Sequence, residues 1–336
     1  MLSPANSKIK KILRFCAYVF LAAWLAALIL IAINRQAIAD WWQLRGYVPP
    51  PSVISVANED TMDAYTKHLF YLNRPQFLPT VASFRSVCPE NENTIVLGCY
   101  HPVEDGIYIY NIADPTLAGV VQVTAAHEVL HAVYARLSPS ARTALDNELE
   151  NYYQHGLTNP LVKAEVKLYQ QTEPHSVYDE MSCTFGTEIA NLPPALDAYY
   201  AQFFNDRATI VAYEQQYQTA FSSRQAMIIQ DDTQLSQLKV QISNLENQLR
   251  ASLTVLNSQL ANINSLRPTS TYDDLQSVVA QYNGQVDSYN DSVVSLQGLI
   301  GEYNQLVNAR NQIAGELTTL DSAIDTRITP TTQPSQ

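Results

Sequence analysis

The stretch His127-Glu128-Val129-Leu130-His131 lies in an apolar, proline-free segment whose pattern predicts a helix. Positions i and i+4 of a helix share one face, so both imidazoles can reach a single metal ion. The glutamate beside the first histidine points to the adjacent side, where it can accept a proton from a metal-bound water. Neutral imidazole suits zinc, which lowers the pKa of its bound water to about 7. The pattern predicts one Zn²⁺ held by His127 and His131, with Glu128 as general base. The alternative is a helix with two ordinary solvated or core histidines.

The third metal ligand is expected to be a carboxylate that follows this helix in the sequence. Glu180 is the first choice, because it lies early in a predicted helix whose small residues allow close approach to the histidine helix. These small residues are Ser182, Cys183 and Gly186. Glu188, two turns further on, is a second candidate, and Glu148 and Glu150 are two more. For each of these glutamates the alternative is an ordinary solvated position on a helix.

Residues around Glu180 are candidates for supporting roles. His175 or Tyr178 would stabilise an oxyanion or orient a ligand, and the plain alternative for His175 is a loop histidine. Asp179 would accept a hydrogen bond from a ligand histidine, as carboxylates commonly do beside metal sites; its alternative role is to cap the helix. Cys183 lies one turn from Glu180 and would either face the metal or pack as a small buried residue.

With these residues in place, positions 94–192 resemble the gluzincin-type zinc metallopeptidases. The resemblance rests on a predicted β-hairpin, the helix with His127 and His131, and a second helix that offers an acidic ligand. It implies hydrolysis of peptide bonds by a zinc-bound water, with Glu128 as general base. The metzincin pattern would need glycine at position 134 and histidine or aspartate at position 137, where this chain has Tyr134 and Leu137. The chain as a whole resembles bacterial membrane-anchored metallopeptidases.

The N-terminus predicts where the chain resides. Residues 15–33 form an unbroken apolar run, preceded by four basic residues and no acidic ones: Lys8, Lys10, Lys11 and Arg14. This pattern predicts a transmembrane signal anchor at 15–33 with residues 1–14 in the cytoplasm. The bulk of the chain would then be extracytoplasmic, with Trp41 and Trp42 at the outer interface. A cleaved signal peptide is the alternative, because Ala37-Ile38-Ala39 fits a cleavage site.

Charge and cysteine content agree with that placement. The net charge is −12, and nearly all of the acidic excess follows the apolar run, so a nucleic acid is excluded as a partner. Cys88 and Cys99 are spaced to close a local disulfide, which persists in oxidising compartments. Two separate small core residues are the alternative for this pair.

The remaining pattern predicts an α+β fold that is mainly α. Residues 34–60, with Pro49-Pro50-Pro51, predict a stiff linker, and residues 61–206 a small zincin-like domain. Within this domain, residues 94–100 and 106–112 predict two strands joined by a turn at 102–105. The second strand would offer its edge to an extended peptide. Residues 207–327 predict an antiparallel coiled-coil hairpin around Pro268, from apolar residues spaced alternately three and four apart. A one-residue slip brings Leu253 and Leu260 into this seam. Residues 328–336 predict a disordered tail.

These features lead to three functional hypotheses. The first is a membrane-anchored, extracytoplasmic zinc endopeptidase that acts on a peptide or protein substrate, with the hairpin positioning substrate, binding a protein partner or self-associating. The second is a scaffold or tether in which the hairpin does the work and the zincin-like domain has little or no turnover. The third is a zinc hydrolase that acts on a non-peptide amide such as a cell-wall crosslink.

Overall fold

The computed structural model describes residues 4–88, 95–102 and 106–327. They are mainly helical with a small sheet, as the sequence predicts. The elements in chain order are α1 (Pro4–Ile33), α2 (Arg35–Leu44), α3 (Pro51–Glu59), α4 (Ala64–Leu72), β1 (Gln76–Leu78), α5 (Val81–Val87), β2 (Gly98–His101), β3 (Gly106–Tyr110), α6 (Val120–Ala135), α7 (Pro139–His155), α8 (Pro160–Thr172), α9 (Val177–Glu188), α10 (Pro194–Tyr200), α11 (Arg207–Leu266) and α12 (Tyr272–Ile324).

The described residues form two compact units. The first contains the chain up to Ala113, Gly119–Glu214 and the residues from Thr326 onward, and the second contains Asp114–Ala118 and Gln215–Asp325. The first unit holds the sheet, the predicted site and a single large apolar core. The second consists largely of the two long helices. The predicted tail at 328–336 lies outside the described residues.

Helix α1 is long and apolar enough over Ile12–Ile33 to cross a membrane. Its side chains in this range are exposed, as expected of a helix whose apolar surface has no protein partner. The predicted membrane span at 15–33 falls within it.

The linker predicted at 34–60 is instead largely helical. Helix α2 follows α1 after Asn34, and α3 begins directly at the proline run, with Pro50 as its N-cap and Pro51 as its first residue. Proline is well suited to a first helical turn because the amide proton it lacks would have no partner there. Val53, Val56 and Ala57 then bury one face of α3 in the core, so these residues belong to the first unit.

The sheet has three strands in the order β1-β3-β2. Strands β2 and β3 are antiparallel and shorter than predicted, and the turn between them lies mostly outside the described residues. Strand β1, which the sequence analysis missed, pairs parallel to β3. The central position of β3 corrects the prediction that it offers a free edge beside the site. In the described sheet, the edge strand that packs against α6 is β2.

The long helices of the second unit run antiparallel beside each other. Arg224 on α11 pairs with Glu316 on α12, and Arg310 pairs with Asp232. Thr271 caps α12 through the backbone amide of Asp274. Both ion pairs are partly exposed to solvent. Such pairs contribute little to the free energy of unfolding, but they are specific to this alignment of the two helices.

Candidate metal centre

Helix α6 carries the two histidines and lies at the centre of the first unit. Asp114 and Pro115, a pair typical of a helix start, form a separate short 3-10 turn before this helix. The helix itself starts after Gly119, whose φ of 98° is favourable only for glycine and whose Cα faces the backbone of Tyr213. Most of α6 is buried, while His127 and His131 are only partly so. Their face of the helix is therefore open to a second element.

That second element is α9. A Cβ on its Gly186 would collide with Leu130 of α6, while Ser182 and Cys183 are fully buried. These are the small residues from which the sequence predicts close approach. The guanidinium of Arg207 donates to the carbonyl oxygens of Ile189 and Ala190, just past the C-terminus of α9. The two helices are thus held in a close, fixed packing.

The packing brings the two histidines to the same carboxylate. His127 Nε2 lies 3.5 Å from Glu180 Oε2, and His131 Nε2 lies 3.7 Å from Glu180 Oε1. All three side chains are partly buried, with 13–19% of each exposed. Two imidazole nitrogens and a carboxylate therefore converge at a partly exposed position.

Asp179 holds the other side of His131. Its Oδ1 lies 2.9 Å from His131 Nδ1, which leaves Nε2 directed at Glu180. Asp179 therefore does not cap α9. The predicted capping partner, Ser176, makes no cap hydrogen bond, and its hydroxyl donates to Glu173 instead. An acceptor at Nδ1 fixes the ring orientation of a metal-ligating histidine and raises its basicity.

Cys183 offers a competing ligand set. His127, His131 and Cys183 have potential ligand atoms within 4.8 Å of one another. However, Cys183 Sγ lies 3.9 Å from the same Asp179 Oδ1 that faces His131 Nδ1. The thiol therefore lies beside the Nδ1 edge of that ring, whereas Glu180 faces Nε2 of both rings.

Glu128 is buried directly under strand β2. A Cβ on Gly98 would collide with the Glu128 side chain and with Thr124, so only glycine leaves room for this carboxylate. Burial raises the pKa of Glu128, and the neighbouring His131 and His127 act in the opposite direction. Next along β2, the ring of Tyr100 stacks on His131, nearly parallel to it. The strand thus covers both the general-base candidate and one histidine.

The electrostatic environment of Glu180 favours its charged form. Burial acts to raise the pKa of Glu180, but the hydrogen bond with His127 and the charges of His131 and His127 hold it below its usual range. For His131, burial lowers the pKa, while Cys183, Asp179 and Glu180 raise it to a value well above normal. The site is thus an acid–base cluster whose members stabilise one another's charges.

The structure does not bring the other sequence candidates to the histidines. Glu188 interacts with Glu165 and Glu214, and burial beside these carboxylates raises its pKa well above normal. The hydroxyl of Tyr178, expected to stabilise an oxyanion or orient a ligand, instead donates to Glu150. His175 and Glu148 are exposed, and Glu148 lines a different cavity, on the α7–α10 side of the unit.

Two residues beside the site were missed. The hydroxyl of Tyr169 on α8 donates to Glu165 at 3.0 Å, and both side chains interact electrostatically with Glu180. Val162 and Val166 are the buried residues of the same helix. The spacing of Val162, Val166 and Tyr169 is that of one helix face and could have indicated which side of α8 packs inward. No pattern within this segment indicates which other element that face of α8 packs against.

Cys88 and Cys99 form a disulfide that ties the end of α5 to β2. Cys99 directly follows Gly98, so the crosslink lies next to the strand segment that covers Glu128. His101 Nε2 lies 3.3 Å from Cys99 Sγ. The disulfide therefore stabilises the sheet edge beside the site.

No family model, curated protein or solved structure matches the chain.

Proposed function

We propose that this chain is a membrane-anchored zinc endopeptidase whose metal is held by His127, His131 and Glu180. The observation that carries the proposal is the convergence of His127 Nε2 and His131 Nε2 on the two oxygens of one carboxylate, at 3.5 and 3.7 Å. Glu128 is adjacent to these ligands and is the general base. The resemblance of positions 94–192 to gluzincins supports the same assignment.

The donor set fits zinc rather than a harder cation. Two imidazoles, which release their extra protons on binding the metal, and one carboxylate make up the usual three protein ligands of a catalytic zinc site, which leaves a position for water. Asp179 at the Nδ1 edge of His131 supplies the orienting acceptor that such ligands usually have. Calcium and magnesium would instead require mostly oxygen ligands.

Bound zinc would supply a Lewis acid that polarises the scissile carbonyl and brings the pKa of water to about 7. The work of the protein is then proton transfer and positioning. Glu128 accepts the proton of the attacking water and passes it to the leaving amine. Its position under Gly98 excludes bulk water from one side of the carboxylate. Strand β2, the described edge strand beside α6, is placed to pair with an extended substrate.

The N-terminal helix supports an anchored rather than a cleaved protein. Ala37-Ile38-Ala39 lies inside α2, and the next residue, Asp40, is buried against the first unit. A helical site with a buried flank is a poor substrate for a peptidase that needs an accessible, extended chain. The four basic residues before α1 favour a cytoplasmic N-terminus and an extracytoplasmic active site.

The two long helices support an antiparallel coiled coil with a register different from the one expected. Leu249, Leu256 and Ile263 are buried at a strict spacing of seven, whereas Leu253 and Leu260 are 46% and 43% exposed. The seam therefore continues without the one-residue slip and includes Gln259, which is partly buried. A hairpin of this length favours a role in positioning a substrate or partner, and is also what a tether would need.

The function is tested with Glu128→Gln in the detergent-solubilised full chain. We expect hydrolysis of fluorescent casein to fall by about 10²-fold or more, because the general base is lost, while zinc content stays the same. Glu148→Gln, an exposed carboxylate away from the site, is the matched control and should keep the wild-type rate. A Glu128→Gln protein that cleaves casein as fast as the wild type contradicts the proposal. Wild-type chain that binds zinc but cleaves nothing favours the tether.

A further inference from the structure

Helix α2 has two chemically different faces. Asp40 and Leu44 point into the first unit, where Asp40 is 7% exposed and Leu44 packs against the main core. Trp41 and Trp42 point outward and are 58% and 61% exposed. A helix of ten residues thus presents two adjacent indoles to its surroundings while its other side is fixed in place.

The inward face is held by a charged cluster. Nη1 and Nη2 of Arg136 donate to the carboxylate of Asp40, at 2.7 and 2.9 Å, and His68 Nε2 lies 3.4 Å from the same group. Arg136 is the C-cap of α6, the helix that carries His127 and His131. A partly buried, bidentate pair is geometrically specific, so α2 is attached directly to the helix of the metal site.

A second contact reinforces this attachment. Arg74 donates from Nη2 to the backbone oxygen of Gln43, and its guanidinium lies over the ring of Tyr47. The chain after the apolar helix is therefore connected to the first unit at several points along α2 and just beyond it. It does not behave as the stiff, separate spacer that a proline-rich linker would provide.

The outward face has the chemistry of a membrane interface. Trp41 and Trp42 pack edge to face, and the guanidinium of Arg45 lies over both rings, at 5.5 and 5.3 Å from their centroids. Tryptophan is enriched where the headgroups meet the hydrocarbon, because its ring is apolar and its N–H is polar. A nearby arginine adds attraction to anionic headgroups.

The position of α2 directly after the apolar helix indicates that its outward face contacts the bilayer. The apolar helix ends at Ile33, and Trp41 follows within the next ten residues. At about 1.5 Å per helical residue, the indoles lie at most about 14 Å along the chain from the hydrocarbon edge. The headgroup layer is roughly 5–8 Å deep on each side, so the two tryptophans reach it when α2 lies along the membrane surface rather than continuing the direction of α1.

We propose that α2 is an interfacial helix that docks the first unit onto the outer membrane surface, with Trp41, Trp42 and Arg45 in the headgroup layer. Resting on the proposed function, this docking deepens it by naming a substrate class. The site is held beside the bilayer by the Asp40–Arg136 pair, and it therefore acts on protein segments that lie at the membrane surface, such as the juxtamembrane parts of other anchored proteins.

The chain offers a direct optical test, since its three tryptophans are Trp24, Trp41 and Trp42. In full-length Trp24→Phe, only the two proposed interfacial indoles emit. The protein is reconstituted into vesicles of phosphatidylcholine and phosphatidylglycerol, with or without phosphatidylcholine brominated near the headgroup end of its acyl chains. We expect the brominated lipid to reduce emission by about twofold, as for indoles at the interface. Emission that is unaffected by brominated lipid but fully quenched by aqueous acrylamide overturns the proposal.

The attachment is tested separately by amide hydrogen exchange in the same vesicles. Arg136→Gln should speed exchange in α2 about tenfold or more, because one partner of a specific ion pair is lost. Arg142→Gln, which removes an arginine stacked on Tyr134 of α6, is the matched control and should leave α2 unchanged. Equal exchange of α2 in wild type and Arg136→Gln contradicts the role of the pair. Neither readout requires zinc, so a quenched chain without zinc would overturn the proposed function and leave the docking standing.

Discussion

At the scale of single residues, the site depends on which atom of each side chain faces its neighbours. His131 presents Nε2 to Glu180 because Asp179 occupies its Nδ1. Glu128 has its place because position 98 has no side chain. Each of these arrangements involves one atom on one residue, and a single substitution removes it.

Asp179 is expected to act as a positioning residue for the metal ligand. Asp179→Ala should weaken zinc affinity by about 10- to 100-fold, because His131 loses the acceptor that orients it. A competition titration with a chelator measures this. Glu188→Gln serves as the control, because that carboxylate interacts with Glu165 and Glu214 and should not affect the metal. If Glu188→Gln loses more zinc affinity than Asp179→Ala, the third ligand has been misassigned.

Asp60 is expected to make stability depend on pH. It is fully buried, neither carboxylate oxygen has a hydrogen-bond partner among the described residues, and burial beside Glu59 raises its pKa well above normal. The folded chain therefore keeps a proton that the unfolded chain releases above about pH 4. The contribution of this group to stability consequently falls as pH rises through that range.

Asp60→Asn removes this proton linkage. We expect its Tm to exceed that of the wild type by roughly 3 °C or more at pH 8, with the difference shrinking toward pH 4. Thermal unfolding followed by circular dichroism at several pH values measures it. Asp291→Asn, an exposed carboxylate on α12, should show no such trend. A constant difference between Asp60→Asn and wild type across this pH range would exclude the linkage.

At the scale of elements, the hairpin of α11 and α12 contains an unfavourable polar group. Gln259 Oε1 is buried and has no partner among the described residues. An unsatisfied buried acceptor costs about 1–3 kcal/mol. Gln259→Leu should therefore raise the Tm of the hairpin by a few degrees in calorimetry, whereas Gln248→Leu at an exposed position should not. Destabilisation by Gln259→Leu would indicate that this glutamine specifies the register of the helices.

Elements whose signals are local were predictable from the sequence. The helix of His127 and His131 follows from its own apolar pattern, and Ser138 and Asn159 mark the starts of α7 and α8 as N-caps. Glu180 could also be predicted from nearby sequence, because it lies beside small residues on a predicted helix. Leu130 of α6 and Gly186 of α9, which meet where the two helices pack, lie far apart in the sequence. A small residue such as Gly186 is nevertheless typical of close helix packing.

Elements that depend on distant partners were not predictable. Strand β1 has three residues and exists because β3 pairs with it. The proline run before α3 was interpreted as a linker because proline both breaks helices and begins them, and only the burial of Val53 and Val56 distinguishes the two roles. Likewise, the partner of Asp40 is Arg136, far along the chain. The seam expected at Leu253 and Leu260 also depends on a distant partner, and the two side chains are 46% and 43% exposed.

At the scale of the whole molecule, the chain combines an apolar N-terminal helix, a unit with the candidate metal centre and a pair of long helices. The acidic net charge disfavours nucleic acid and agrees with a protein or peptide substrate. In the proposed function, the anchor keeps the metal centre at the membrane. This function requires that the metal centre exists.

Zinc content per chain is the measurement that tests this account most directly. Full-length protein purified in detergent, without added metal, is assayed by mass spectrometry beside His127→Ala, Glu180→Ala and Cys183→Ser. We predict about one zinc in the wild type and in Cys183→Ser, none in His127→Ala, and weakened retention in Glu180→Ala. A well-folded wild type without zinc contradicts the metallopeptidase assignment. Zinc that is lost in Cys183→Ser but kept in Glu180→Ala contradicts the ligand set.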